Sequence, residues 1–196
     1  MYKSSQNIVF GFHAASENIT KKLVENGDCE FKPSKNTYDW LGSGMYFWEN
    51  SVHRAEKFAR DRKIENPVVI GAAIQLGYCL DLTDSESLSY LNASYQTLKA
   101  TAKAAGAALP KNKPGNRESE MDLLLRELDC AVINFLHSQR KDKDEKVFDS
   151  VRGVFWEGKA LYPGAGFKEK NHIQICIINP NCIKGFFYPR QKVEIA

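Results

Sequence analysis

The chain has 196 residues, a formal net charge of +3, 43% hydrophobic residues and 26% charged residues. These proportions exclude a collagen, a coiled coil and wholesale disorder, and the length suits one domain whose core needs no disulfide or metal. No apolar run reaches the ~18 residues that span a bilayer, and so mild a positive charge permits an acidic partner without requiring one.

In chain order, residues 7–12 predict a short buried strand ending at His13. Ser16 then caps a helix carrying Ile19, Leu23 and Val24 at helical spacing, and Gly27 stops it. Residues 32–45 form a polar loop with two aromatics, Tyr38 and Trp40, and lead into the dense apolar run Gly44-Met45-Tyr46-Phe47-Trp48. Ser51 begins a second helix with the stripe Val52, Ala55, Phe58 and Ala59, and Pro67 bounds it. Residues 68–76 and 78–82 predict strands on either side of Gly77.

The middle of the chain changes to helical periodicity. Residues 87–108 place Leu88, Leu91, Tyr95, Leu98 and Ala102 on one side. A second amphipathic helix is expected from about Glu118 to Arg140, with Leu124, Leu125, Leu128, Val132, Phe135 and Leu136 as its apolar face. Strands return at 151–156, 172–178 and 182–188. Strands at both ends with helices between them predict an α+β fold, not a doubly wound α/β one.

The five cysteines, Cys29, Cys79, Cys130, Cys176 and Cys182, are scattered and form no C-x-x-C pair, so no metal site is expected. The polar residues 1–6 show no signal-peptide core; reduced thiols, a cytoplasmic location and no membrane association are the expectation. No phosphate-binding glycine loop, G-x-S-x-G or H-E-x-x-H string occurs.

Two segments do carry chemistry. The first, Phe10-Gly11-Phe12-His13-Ala14-Ala15-Ser16, is a strand ending in histidine. The second, from Leu41 to Ser51, contains Gly44-Met45-Tyr46-Phe47 and leads into the helix of Arg54 and Ala55. Together they resemble the ADP-ribosyltransferase superfamily, in its His–Tyr–Glu branch, which includes the poly(ADP-ribose) polymerases and diphtheria toxin. The resemblance covers roughly residues 7–82 and 151–190. It implies a split β-sheet core forming a single domain over 1–196, with residues 84–150 as a helical insertion.

By that resemblance NAD is the co-substrate, and ADP-ribose passes to a macromolecular acceptor, protein or nucleic acid, with release of nicotinamide. The bond to nicotinamide breaks through an oxocarbenium-like transition state, so the protein must hold the ribose and stabilise positive charge. His13 would hydrogen-bond the adenosine ribose, the backbone at Ala14 would hold the nicotinamide amide, and Tyr46 would stack on the ring, with Gly44 and Arg54 completing the cofactor contacts. Arg54 replaces a serine usual in the polymerases, and Ala14 replaces a glycine.

The third motif falls on the strand at 172–178, where His172, Gln174 and Cys176 share one face and Ile173, Ile175 and Ile177 the other, core-facing one. Gln174 stands where the branch has glutamate, with Glu157 and Glu169 as nearby carboxylates. An amide can bind a ribose hydroxyl but cannot act as a carboxylate base, which favours single transfer over chain elongation. Tyr162, Phe167 and His172, interleaved with Lys168 and Lys170, are the expected acceptor-binding residues. A toxin or phage-defence role with an inhibitory partner protein is implied for so compact a member. Two alternatives stay open: a catalytically inactive NAD-binding or interaction module of the same fold, and a nucleic-acid-binding protein.

Overall fold

A computed structural model describes residues 8–25, 32–115 and 122–190. The order is β1 (Ile8–Ser16), α1 (Glu17–Glu25), β2 (Met45–Glu49), α2 (Val52–Asp61), β3 (Pro67–Gln75), β4 (Cys79–Asp81), α3 (Ser85–Ala104), α4 (Glu127–Asp142), β5 (Ser150–Phe155), β6 (His172–Ile177) and β7 (Ile183–Phe187). The fold is mixed α+β. Its strands form one seven-stranded sheet in the order β4-β5-β6-β2-β1-β3-β7. Every pairing is antiparallel except β4 with β5. No described helix is long and apolar enough to cross a membrane.

Both faces of the sheet are covered. On one, Tyr46, Leu80, Val151, Phe155 and Cys176 pack with Ile133 and Leu136 of α4, while Ala14 and Trp48 meet Ala55 and Ala59 of α2. On the other, Met45, Phe47, Ala72, Ile74, Ile175 and Ile177 form a second cluster. The strand β6 is therefore central: Ile175 and Ile177 face core as expected, Ile173 is half-buried, and Cys176 on the opposite face is fully buried as well. Gly11 is required where β1 crosses this second cluster, because a Cβ there would lie 2.7 Å from Cβ of Phe47.

Several boundaries move for physical reasons. The strand β1 runs through His13 to Ser16, because β3 offers partners along its whole length, from Ile8↔Gln75 to Ser16↔Pro67. Ser16 thus ends β1 directly before α1 begins at Glu17, and Pro67, beyond the end of α2 at Asp61, opens β3. The cap of α2 is Ser51, whose Oγ accepts from Arg54 N at 3.3 Å. The helix α3 is capped by Asp84 and leaves Leu88 exposed. Its buried Ser94 donates to the Val132 carbonyl at 3.2 Å and ties α3 to α4.

The largest correction concerns α4, which starts at Glu127, not near 118. Residues 122–126 run as a strap: Lys113 and Leu125 exchange backbone bonds of 2.8 and 3.0 Å, and Leu124 O accepts from Trp40 Nε1 at 2.8 Å. Those long-range bonds hold the segment extended although its leucines continue the helical period. The expected positions of Gly27, Cys29 and Glu118 lie outside the described residues.

Candidate functional site

Within the continuous seven-stranded sheet one pairing is short. The strands β1 and β2 pair only as Gly11↔Glu49 and Phe12↔Trp48. Beyond Phe12, β1 continues with β3 alone, while β2 runs along β6 from Trp48↔Gln174 to Met45↔Ile177. His13 and Ala14 lie where the two strands part. The imidazole bridges the gap, with Nδ1 2.9 Å from the Tyr46 carbonyl and its ring between Phe47 and Trp48, at centroid distances of 6.1 and 6.4 Å. Burial lowers its pKa to about 4, so it is neutral at pH 7.

Tyr46 is anchored by its own loop. Its hydroxyl donates to the Gly42 carbonyl at 2.6 Å and accepts from Leu41 N at 2.8 Å, and burial pushes its pKa far up. The loop in turn is held by α4: Ser43 N donates to Asn134 Oδ1 at 2.9 Å. Gly42 has φ +78°, a conformation that favours glycine. Gly44 is buried, and both its backbone groups are spent on Ser34, at 2.8 and 3.0 Å. It shapes the turn beneath Tyr46.

On the Tyr46 side of the sheet, Gln174 lies between Trp48 of β2 and Gly153 of β5. Its Nε2 is 2.9 Å from Nε2 of His172, whose Nδ1 is 2.6 Å from the Lys170 carbonyl. Burial lowers the His172 pKa to about 4, with Arg54 and Arg126 adding to the shift. Arg54, from the first turn of α2, donates to Glu157 at 2.8 Å, and Glu157 also takes Lys170 at 3.2 Å. Glu157 is thus shared by two cations, and the trio keeps one positive charge. Three donors here, Trp48 Nε1, Arg54 Nε and Arg126 Nε, are buried without a hydrogen-bond partner, each a cost of about 1–3 kcal/mol until an acceptor arrives.

The strap and a β-hairpin form the rim. The hairpin, residues 157–170, joins β5 to β6 through Leu161 N to Phe167 O (3.1 Å) and Glu169 N to Lys159 O (3.0 Å). Asp122 of the strap accepts from Gly158 N and from Lys168 Nζ, both at 2.6 Å. Between them lies a shallow cavity of about 180 Å³ walled by Trp40, Arg126, Trp156 and Lys168. The Arg126 guanidinium sits over Trp40 and Phe155, 4.4 and 4.9 Å from their centroids.

His13, Ala14, Tyr46, Arg54, Gln174 and His172 are thus gathered around adjoining strands and one helix end. Tyr162 and Phe167 are elsewhere. They stand on the hairpin, 59% and 63% exposed, whereas His172 is 7% exposed beneath Trp40. Its grouping with those two is corrected accordingly: burial removes it from the outer surface. Arg126, Asn134 and Asp122 were not legible as site residues, since each acts through partners far away in sequence, Trp40, Ser43 and Lys168 respectively.

No family model matches the chain. It is 25% identical to MJ0359, an uncharacterized protein of Methanocaldococcus jannaschii, over 88% of this chain and 83% of that one. No solved structure matches it.

Proposed function

We propose that the protein is an NAD-dependent mono-ADP-ribosyltransferase with an ADP-ribosyltransferase-like split sheet and a helical insertion over 84–150. The observation that carries this reading is the β6-β2-β1 adjacency, with the His13 imidazole at the point where β1 and β2 part, 2.9 Å from the Tyr46 carbonyl. The strands bearing the three motifs are neighbours, in an arrangement that one dinucleotide could bridge.

In this reading His13 and the backbone near Ala14 hold the ribose and the nicotinamide amide. The Tyr46 ring, fixed by its locked hydroxyl, supplies a preset stacking surface, worth about 0.5–1.5 kcal/mol beyond burial. Gln174 binds a ribose hydroxyl next to the carbon that becomes electrophilic. The unpaired donors of Trp48 and Arg54 add hydrogen bonds that a dinucleotide's oxygens can take. Nicotinamide leaves, and a nucleophile of the acceptor, protein or nucleic acid, adds to the ribose. Tyr162 and Phe167 on the exposed hairpin receive that acceptor. A cytoplasmic toxin or phage-defence effector, restrained by an inhibitory partner, is the biological setting proposed.

The test is labelled NAD added to a lysate with the purified protein, followed by protease or nuclease. Retained label sensitive to one treatment identifies the acceptor, and His13→Ala should abolish it. No nicotinamide release and no label in any fraction would count against transferase activity. The second reading, an inactive NAD-binding or interaction module, is favoured by one observation: the side chain at the third motif is an amide. Saturable NAD binding without turnover would select it.

A further inference from the structure

The pair His172–Gln174 has a hydrogen-bond logic that fixes which end of the amide meets a ligand. Nδ1 of His172 lies 2.6 Å from the Lys170 carbonyl, an acceptor only, so this nitrogen carries the proton. The imidazole is neutral, because burial lowers its pKa to about 4. Its Nε2 therefore presents a lone pair. The amide nitrogen of Gln174, 2.9 Å away, must be the donor to it. The opposite orientation would press two acceptors together. Oε1 of Gln174 makes no hydrogen bond among the described residues.

The ring of His172 is itself clamped. Trp40 and Phe155 pack against it at centroid distances of 6.0 and 5.7 Å, and Trp40 is pinned through its Nε1 to the Leu124 carbonyl. Neither the ring nor the amide can turn over without breaking a partnered contact.

We infer that His172 is a positioning residue that holds Gln174 with its carbonyl oxygen turned outward, so that the amide receives a ribose hydroxyl as a carboxylate oxygen would. This rests on the NAD reading above for the identity of the ligand, but the amide's orientation does not. The substitution of glutamine for glutamate then keeps an acceptor in place and removes only the negative charge. It also makes Gln174→Glu a poor restoration. A carboxylate oxygen would face the Nε2 lone pair, and the pair would have to take up one proton, on Nε2 or on the carboxyl, to meet.

The experiment uses the full chain labelled with ¹⁵N at histidine, read by long-range ¹H–¹⁵N correlation at neutral pH. In the wild type, the His172 signals should report Nδ1–H and an unprotonated Nε2. NAD titration by calorimetry should show the dissociation constant rising about tenfold in His172→Phe, the weight of one hydrogen bond. An Nε2–H tautomer in the wild type overturns the orientation. Unchanged NAD affinity in a folded His172→Phe overturns the positioning role. Wild-type protein with the Nδ1–H tautomer and no NAD binding overturns the ligand reading while leaving the orientation standing.

Discussion

Two arginines on opposite faces of the sheet make an instructive pair. Arg152 on β5 spends its guanidinium fully: Nε and Nη2 meet Glu49 at 2.6 and 3.0 Å, and Nη1 meets Asp81 at 3.1 Å. It braces β2, β5 and β4, and its pKa is raised accordingly. Arg54 at the site makes one ion pair, to Glu157 at 2.8 Å, and keeps a buried Nε with no partner. Both are charged residues paired with carboxylates, yet one is saturated and the other is not. Saturation fits a structural brace, whereas the buried Nε of Arg54 keeps a donor that an added acceptor could take.

The buried histidines extend the contrast and carry the largest expected effect. His13, His137 and His172 are all lowered to about 4 from 6.5, mainly by burial. The unfolded chain therefore takes up protons first as pH falls. The stability these groups contribute is complete above about pH 6.5 and is lost progressively toward pH 4, by up to roughly 3 kcal/mol per imidazole. Urea midpoints at pH 7 and pH 4.5 measure it. Both nitrogens of His137 lack a partner, so His137→Phe should flatten this dependence without changing NAD binding.

The next effect sharpens the arginine comparison. Arg152→Met should destabilise by about 2–3 kcal/mol, a half-buried brace being worth less than the 3–5 of a fully buried one, and should leave NAD affinity intact. Arg54→Met should cost stability less, about 1 kcal/mol, because Lys170 still neutralises Glu157. It should weaken NAD binding about tenfold. Chemical denaturation and calorimetry on the two variants separate these outcomes. Equal losses of affinity would break the distinction. The smallest effect is expected at the α2 cap, where Ser51→Ala should cost about 1 kcal/mol in thermal stability.

Much of the sheet was legible because alternation and apolar runs are local signals. The strands β2, β3, β5 and β6 fall within a residue or two of their expected limits, and Ser51 as a cap could be read directly. What was hidden depends on distant partners. The leucines at 124 and 125 keep helical spacing, but Trp40 and Lys113 hold their backbone extended. At the site, the histidine, the tyrosine and the odd glutamine could each be singled out from their motifs. The support of Gln174 by His172 could not, since both simply alternate on one strand face until Lys170 fixes the tautomer. Likewise, nothing local in Asn134 announces that it pins the loop beneath Tyr46.

The most direct measurement of the central claim is calorimetric titration of the wild-type chain with NAD, beside His13→Ala and Arg152→Met. The account predicts saturable one-site binding in the wild type and in Arg152→Met, and its loss in a folded His13→Ala. No saturable heat from the wild type, or binding that survives without the imidazole, would contradict it.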